Sequence, residues 1–185
     1  MDQNILSHFG RNLPIAPSFQ APGRSMGFPR RIVDSSSRRP ILGQDFAQVT
    51  EEFRKRGAIL SVQVGIPSAL AAQMQAQGQT PPPPEEISAI VDTGASITAI
   101  DVGVAQRLGL QATGSIDIAG ATGQASQPLF AAMFRIPDPF IEWDPITLSG
   151  AQLPGAPFAM LLGRNILCNM TLSYDGKRGR FSLIL

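Results

Sequence analysis

The sequence predicts a mainly β fold with a few short helices, and three observations predict it. Apolar residues alternate, or run briefly, in short stretches bounded by turn residues, the mark of half-buried and buried strands. Helical spacing is confined to three short windows. The chain ends on two apolar runs, Thr171–Tyr174 and Arg180–Leu185, around an Asp175-Gly176 turn signal, which reads as a hairpin.

Taken in order, residues 1–43 carry Pro14, Pro17, Pro22, Pro29 and Pro40 with no surviving hydrophobic period, and are expected to be mostly irregular or disordered. Asp45 is placed to cap a helix over 46–56. There Phe46, Val49 and Phe53 share a face, Glu51–Lys55 and Glu52–Arg56 are i,i+4 pairs in the favourable order, and Gly57 ends the helix. Ala58–Ile66 alternates as a strand. Ser68–Gln77 reads as a helix ended by Gly78, and the proline run that follows is a stiff spacer, so 67–86 looks like a surface insertion. Ile87–Val91 is a buried strand. Asp101 caps a short helix carrying Val104 and Leu108 and ending at Gly109. Strands follow at Ser115–Ala119, Gln127–Ile136, Ile146–Leu148 and Ala159–Leu162. The domain organisation expected is a leader, 1–57, ahead of a β domain, 58–185.

Composition narrows the function. The chain has 185 residues, 43% of them hydrophobic, 16% charged, and a formal net charge of +1, so nothing points to nucleic acid as a partner. Through Arg56 there are nine Lys and Arg against five Asp and Glu, a balance of +4, and the remainder carries six against nine, or −3. The basic leader reads as a solvated tail. Its Arg and Ser content faintly resembles an organelle transit peptide, against which Asp2 and the prolines argue. One cysteine, Cys168, allows no intrachain disulfide and is expected to be a small buried hydrophobe. One histidine, His8, lies in the leader, so no zinc site and no His-assisted nucleophile is expected in the domain. No secretory signal is evident and no apolar run approaches the ~18 residues of a membrane span. A cytoplasmic protein with no membrane contact is the expectation.

The chemistry centres on Ile90-Val91-Asp92-Thr93-Gly94-Ala95-Ser96. A carboxylate leaves a buried strand. Thr93 can bond locally, Gly94 lets another backbone approach closely, and Ala95 leaves room beside the carboxylate. Here the sequence resembles a family: IVDTGASITAI is similar to the catalytic loop of aspartic peptidases, and its A-S-I-T continuation to retroviral, retroelement and bacterial retropepsin-like members. A second stretch, Leu161-Leu162-Gly163-Arg164-Asn165-Ile166-Leu167, resembles the Gly-Arg-Asp/Asn signature near the retropepsin C-terminus. The resemblance covers 58–185 and implies a single-lobe, retropepsin-like acid protease β-barrel.

It further implies an aspartic endopeptidase acting on polypeptide, without cofactor or metal. Such an enzyme needs two carboxylates around one water, sharing a proton. This chain has one Asp-Thr-Gly, so the resemblance implies a homodimer with Asp92 from each copy on the two-fold axis. Thr93 would brace the two loops across that axis, and Gly94 would accept a substrate main-chain hydrogen bond. Arg164, with Gly163 and Asn165, would support the site and the dimer interface. A short helix over 165–170 would pack beneath, and the last strand, FSLIL, would join its counterpart in an intersubunit sheet. Gly120-Ala121-Thr122-Gly123 is the candidate flap tip. Viral members often have an acidic residue where this chain has Ser96, so that anchor for outer substrate residues is not carried over. The leader and the insertion have no fixed family equivalent, and self-cleavage within 1–57 is one expectation.

Two other readings of the sequence stand beside this one. GATG at 120–123 also resembles part of a dinucleotide loop, but Ser126 stands where the third glycine belongs and a strand-like run follows instead of a helix. A non-catalytic retropepsin-like module for dimerisation or peptide binding is the alternative function. An intact Asp-Thr-Gly-Ala argues against it, since such a module need not keep the carboxylate.

Overall fold

The computed structural model describes residues 32–34, 46–120, 123–138 and 140–185. In chain order the elements are β1 (Ile32–Asp34), α1 (Phe46–Arg56), β2 (Ile59–Gly65), α2 (Ser68–Ala76), β3 (Glu85–Val91), β4 (Ala99–Asp101), α3 (Val102–Arg107), β5 (Ala112–Gly120), β6 (Gly123–Ile136), β7 (Ile141–Ala151), β8 (Met160–Leu162), α4 (Arg164–Leu167), β9 (Thr171–Asp175) and β10 (Arg180–Ile184).

Seven strands form one sheet in the order β2-β3-β8-β4-β7-β6-β5, and β2 also pairs with β6 through Gln63↔Arg135, Val64↔Phe134 and Gly65↔Met133. That extra pairing closes β2, β3, β8, β4, β7 and β6 into a six-stranded barrel and leaves β5 as an arm beyond β6. Closure removes the open edges on which sheets aggregate. The alternation read in 58–66 is the reason β2 can line the barrel: Leu60, Val62 and Val64 are buried while Ser61 is exposed. Val62, Val64, Ala89, Ile100, Phe134, Leu148, Met160 and Leu162 are fully enclosed inside.

β7 is far longer than the Ile146–Leu148 expected. The pair Asp144-Pro145 hides its first half, because proline cannot donate to a ladder. The fold accommodates it in a bulge. Ala132 pairs with Ile146 and Phe134 with Trp143, so Asp144 and Pro145 together face Met133 alone. The same bulge turns the Asp144 carboxylate toward the N-terminus of α2, where it accepts from Ser68 N at 3.0 Å. α2 buries no residue completely, and Leu70, Ala71 and Met74 pack against the core. Within the stretch 67–86, α2 is thus a surface helix, and Glu85 and Glu86 belong to β3, where they pair with Val64 and Gln63.

A second, three-stranded sheet has the order β1-β10-β9. One sequence expectation is corrected here. Residues 32–34 lie in the stretch read as irregular, yet they form β1. Ile32 and Val33 are β-branched, but a three-residue strand has no period to detect and its partner is at the far end of the chain. Within the chain β10 is paired on both sides, with β9 through Arg180↔Asp175 to Ile184↔Thr171 and with β1 through Ile32↔Ile184 to Asp34↔Ser182. The β9–β10 turn also differs from a tight Asp-Gly turn. Residues 176–179 intervene, Gly179 adopts φ +62°, and Arg178 N donates to Asp175 Oδ1 at 3.1 Å. Hydrogen bonding from the Arg178 side chain outweighs desolvation and holds the Asp175 carboxyl below its ordinary pKa.

α1 forms over the expected span and Gly57 ends it at φ +76°. The expected cap, Asp45, lies outside the described residues. The Glu51–Lys55 and Glu52–Arg56 pairs form on the exposed face, where they contribute little. The helix is held by packing. The Phe53 ring lies 4.9 Å from Tyr174 and 6.4 Å from Phe181, and Thr50 Oγ1 donates to Lys177 O at 3.3 Å. Phe53→Ala is expected to cost about 2 kcal/mol, below the ~3–5 of a fully enclosed phenylalanine because Phe53 stays half-buried. Urea unfolding checks the value, and parent-like stability would show that α1 rests on the domain without anchoring it.

Candidate active site

β3 delivers Asp92 to the end of the barrel. β8 lies between β3 and β4, parallel to the first through Val91↔Leu162 and antiparallel to the second through Ala99↔Leu161. This arrangement brings together the two motifs, which are widely separated in sequence. Asp92 N donates to Leu162 O at 3.0 Å, carrying the ladder one residue into the loop. Asp92 Oδ1 then accepts from Gly94 N at 2.9 Å and Ala95 N at 3.3 Å. These bonds fold the loop back on the carboxylate, the local habit of aspartate in turns. Oδ2 has no hydrogen bond among the described residues. Asp92 is half-buried, and Thr93, Gly94 and Ser96 are exposed.

The Gly163-Arg164-Asn165 turn holds the loop from beneath. Arg164 N donates to Ala95 O at 2.9 Å and Asn165 N to Ser96 O at 3.2 Å. Arg164 Nη1 donates to Thr93 O at 2.8 Å and Gly94 O at 3.0 Å. The guanidinium therefore clamps two loop carbonyls of its own chain. α4 starts at Arg164 and buries Ile166 and Leu167, one turn of the helix expected over 165–170. Cys168 follows and is exposed, not buried as expected. With Ile166 and Leu167 taking the inward directions, the next residue on so short a helix points out.

The sequence reading missed Thr98. It is fully buried, and it joins the two motifs. Its N–H and Oγ1 both donate to Asn165 Oδ1, at 2.8 and 2.7 Å, and Oγ1 accepts from Gly163 N at 3.0 Å. The available signal was a single hydroxyl among apolar neighbours, Ile97, Ala99 and Ile100. A buried polar group in such a setting has to find partners. Thr98→Val leaves Gly163 N–H without an acceptor and is expected to cost about 1–3 kcal/mol. Thr98→Ser keeps the hydroxyl and gives up one methyl, about 1 kcal/mol. Urea midpoints should rank Ser above Val. The reverse order would mean that methyl packing, and not the hydroxyl, ties the motifs together.

Gly120 and Gly123 are register partners where β5 meets β6. Ala121 and Thr122, the rest of the expected flap tip, lie outside the described residues. β5 and β6 are antiparallel with no helix after Gly123, so the dinucleotide-loop reading does not apply. Among the described residues, no three His, Cys, Asp or Glu side chains converge to hold a metal, and no helix is long and apolar enough to cross a membrane.

This topology, with its single Asp-Thr-Gly loop between interlocked strands, places the molecule in the class of single-lobe, retropepsin-like acid protease folds. The chain belongs to the aspartyl protease family, whose model matches residues 72–166, a span that contains both motifs. Among solved structures it is similar to a retropepsin-like aspartic protease from Rickettsia conorii (17% identity, 84% of this chain and 93% of that one, TM-score 0.41). It is also similar to the protease of simian foamy virus (mac) (14% identity, 59% of this chain and 92% of that one, TM-score 0.35). No curated protein sequence matches it.

Proposed function

We propose that the chain is an aspartic endopeptidase whose active site is completed by a second copy. The observation that carries this is the state of Asp92. One oxygen is committed to two backbone N–H groups, which set the loop, and the other is uncommitted. One such carboxylate per chain calls for a partner, because peptide hydrolysis of this type requires one group to take a proton while another gives one. Two Asp92 carboxylates facing each other would share a single proton.

The steps follow from that shared proton. The ionised Asp92 takes a proton from the water, whose oxygen adds to the scissile carbonyl carbon. The protonated Asp92 gives its proton to the carbonyl oxygen, forming a gem-diol. Proton transfer to the amide nitrogen then lets the C–N bond break, releasing an acid and an amine. Thr93, whose exposed hydroxyl has no hydrogen bond among the described residues, is free to brace the opposing loop. Gly94 leaves the substrate backbone room to approach, with Ala95 and Ser96 continuing the loop. Gly163, Arg164 and Asn165 keep the carboxylate in place, and the β5–β6 hairpin, whose register runs out to Gly120 and Gly123, closes over the polypeptide substrate.

The test is incubation with a complex peptide mixture over a series of buffers from acid to neutral, with products read by mass spectrometry. Cleavage that stops on adding a transition-state-mimicking aspartic protease inhibitor supports the proposal. A demonstrated dimer that cleaves nothing would overturn it.

A further inference from the structure

We propose that Ser149 Oγ and Gln127 Oε1 hold one buried water between them, and that this water fixes the angle at which the β5–β6 arm leaves the barrel. The site follows from the packing of β6 and β7. Its consequence for cleavage rests on the endopeptidase reading above.

Among the described residues, these are the two buried side-chain atoms without a hydrogen-bond partner. Ser149 is fully buried, and Gln127 is half-buried with its side-chain oxygen enclosed. An enclosed polar atom without a bond is destabilising, and native folds supply it with a partner or a water. Both lie on one face of the sheet. A Cβ on Gly150 would meet Phe130 and Pro128, so those three positions share a face, and the alternate positions Ser149, Leu129 and Gln127 share the other. Leu129 stands opposite Ser149, and Gln127 is two residues further along β6. Gln127 is therefore the diagonal neighbour of Ser149, within reach of a long side chain. The two oxygens are not bonded to each other. One water joins such a pair by accepting the Ser149 hydroxyl proton and donating to Gln127 Oε1.

The neighbours leave it room. Ala99 is opposite Ser149 on β4, Ala151 is two residues along β7, and Ala131 is the other diagonal position on β6. Each presents only a methyl group to this face, where a larger side chain would fill the space a water needs.

The site straddles the root of the arm. The β6–β7 ladder ends at Leu129↔Ser149, and the next residue of β6 is Pro128, which has no N–H to give. From Pro128 to Gly123, β6 is paired with β5 alone. Ser149 thus belongs to the barrel and Gln127 to the arm. A two-stranded ribbon is marginal by itself, so its direction is set where it joins the barrel. Ser149 N also donates to Thr98 O at 3.0 Å, and Thr98 Oγ1 joins Asn165 and Gly163. The water therefore ties the arm to the strand that supports the Asp92 loop. Ser149 and Gln127 act as positioning residues: they hold the arm over the cleft and leave the carboxylate as it is.

The experiment is a double-mutant cycle in the full chain, with Ser149→Ala, Gln127→Met and both together, read by urea unfolding. A crystal structure of the parent at a resolution that shows ordered water accompanies it. Density bonded to both oxygens is expected. Each single variant should lower the urea midpoint by about 0.3–1 M, and the double variant by clearly less than the sum. A Ser149→Ala midpoint above the parent's means that the hydroxyl is buried without a partner, and overturns the site. Additive losses, or density in which the two side chains bond directly, overturn it as well. The arm is read on a cleaved peptide, where Ser149→Ala should raise KM about fivefold at unchanged kcat. A bound water with parent-like KM keeps the site and overturns its hold on the arm. If the parent cleaves no peptide, the endopeptidase reading fails and the catalytic consequence with it, while the density and the cycle still decide the water site.

Discussion

Asp92→Asn is expected to abolish peptide cleavage while leaving the barrel at parent stability. The asparagine keeps a side-chain oxygen where Asp92 Oδ1 accepts from Gly94 and Ala95, so the loop retains its fold. What it loses is the ability to take and return a proton. Removing a positioned general base costs about 10²–10⁴-fold. In a homodimer the substitution removes both members of the pair at once, so kcat is expected to fall by at least the upper figure. The measurement is kcat on a peptide identified from the mixture, beside a thermal melt of both proteins. Cleavage by the variant at a substantial fraction of the parent rate would falsify the assignment of Asp92.

Gly163→Ala is expected to be the most damaging single methyl group in the site. A Cβ there would stand 2.5 Å from Ile97 C and 2.7 Å from both Ile97 O and Thr98 N. The φ of −88° suits any residue, so the demand for glycine is one of space and not of backbone conformation. Neither side can retreat easily. Gly163 N is bonded to Thr98 Oγ1, and Arg164 N to Ala95 O. Overpacking costs about 1–3 kcal/mol, and breaking a buried bond to relieve it about 1–3 more. A total of roughly 2–6 kcal/mol is a large part of the ~5–15 that holds a typical domain. Gly114→Ala is the control: nothing lies within 4 Å of its Cβ, and little change is expected. Urea unfolding of the two variants decides the matter. Equal stability would mean that the close approach of Gly163 to the 97–98 backbone is relieved at no cost.

The two predictions also mark what could be read from the sequence. The Asp92 loop was legible because its signature is compact and local: apolar strand, Asp-Thr-Gly, small residue. The Gly-Arg-Asn stretch was legible as a second signature with an expected supporting role, but its contacts were not. Only the passage of β8 between β3 and β4 shows that Arg164 clamps Thr93 and Gly94 and that Thr98 bonds Asn165 and Gly163. Thr98 went unassigned because its neighbours in sequence are apolar and its partners lie more than 60 residues away. Cys168 was misread for a related reason: residue type gives a tendency to burial, while position on a one-turn helix sets direction.

By itself, then, the sequence determined what local physics governs. Helix limits followed from spacing and terminal glycines at Gly57, Gly78 and Gly109, most strands from alternation, and the position of the Asp-Thr-Gly loop from its motif. The tertiary structure decided what depends on groups remote in the chain. It closed the barrel through β2 and β6, hid Pro145 in a bulge, and built the Thr98 network. It also laid β1 on β10. Each of these is a pairing whose free energy comes from the partner's backbone or from exclusion of water, and no window of neighbouring residues contains that partner.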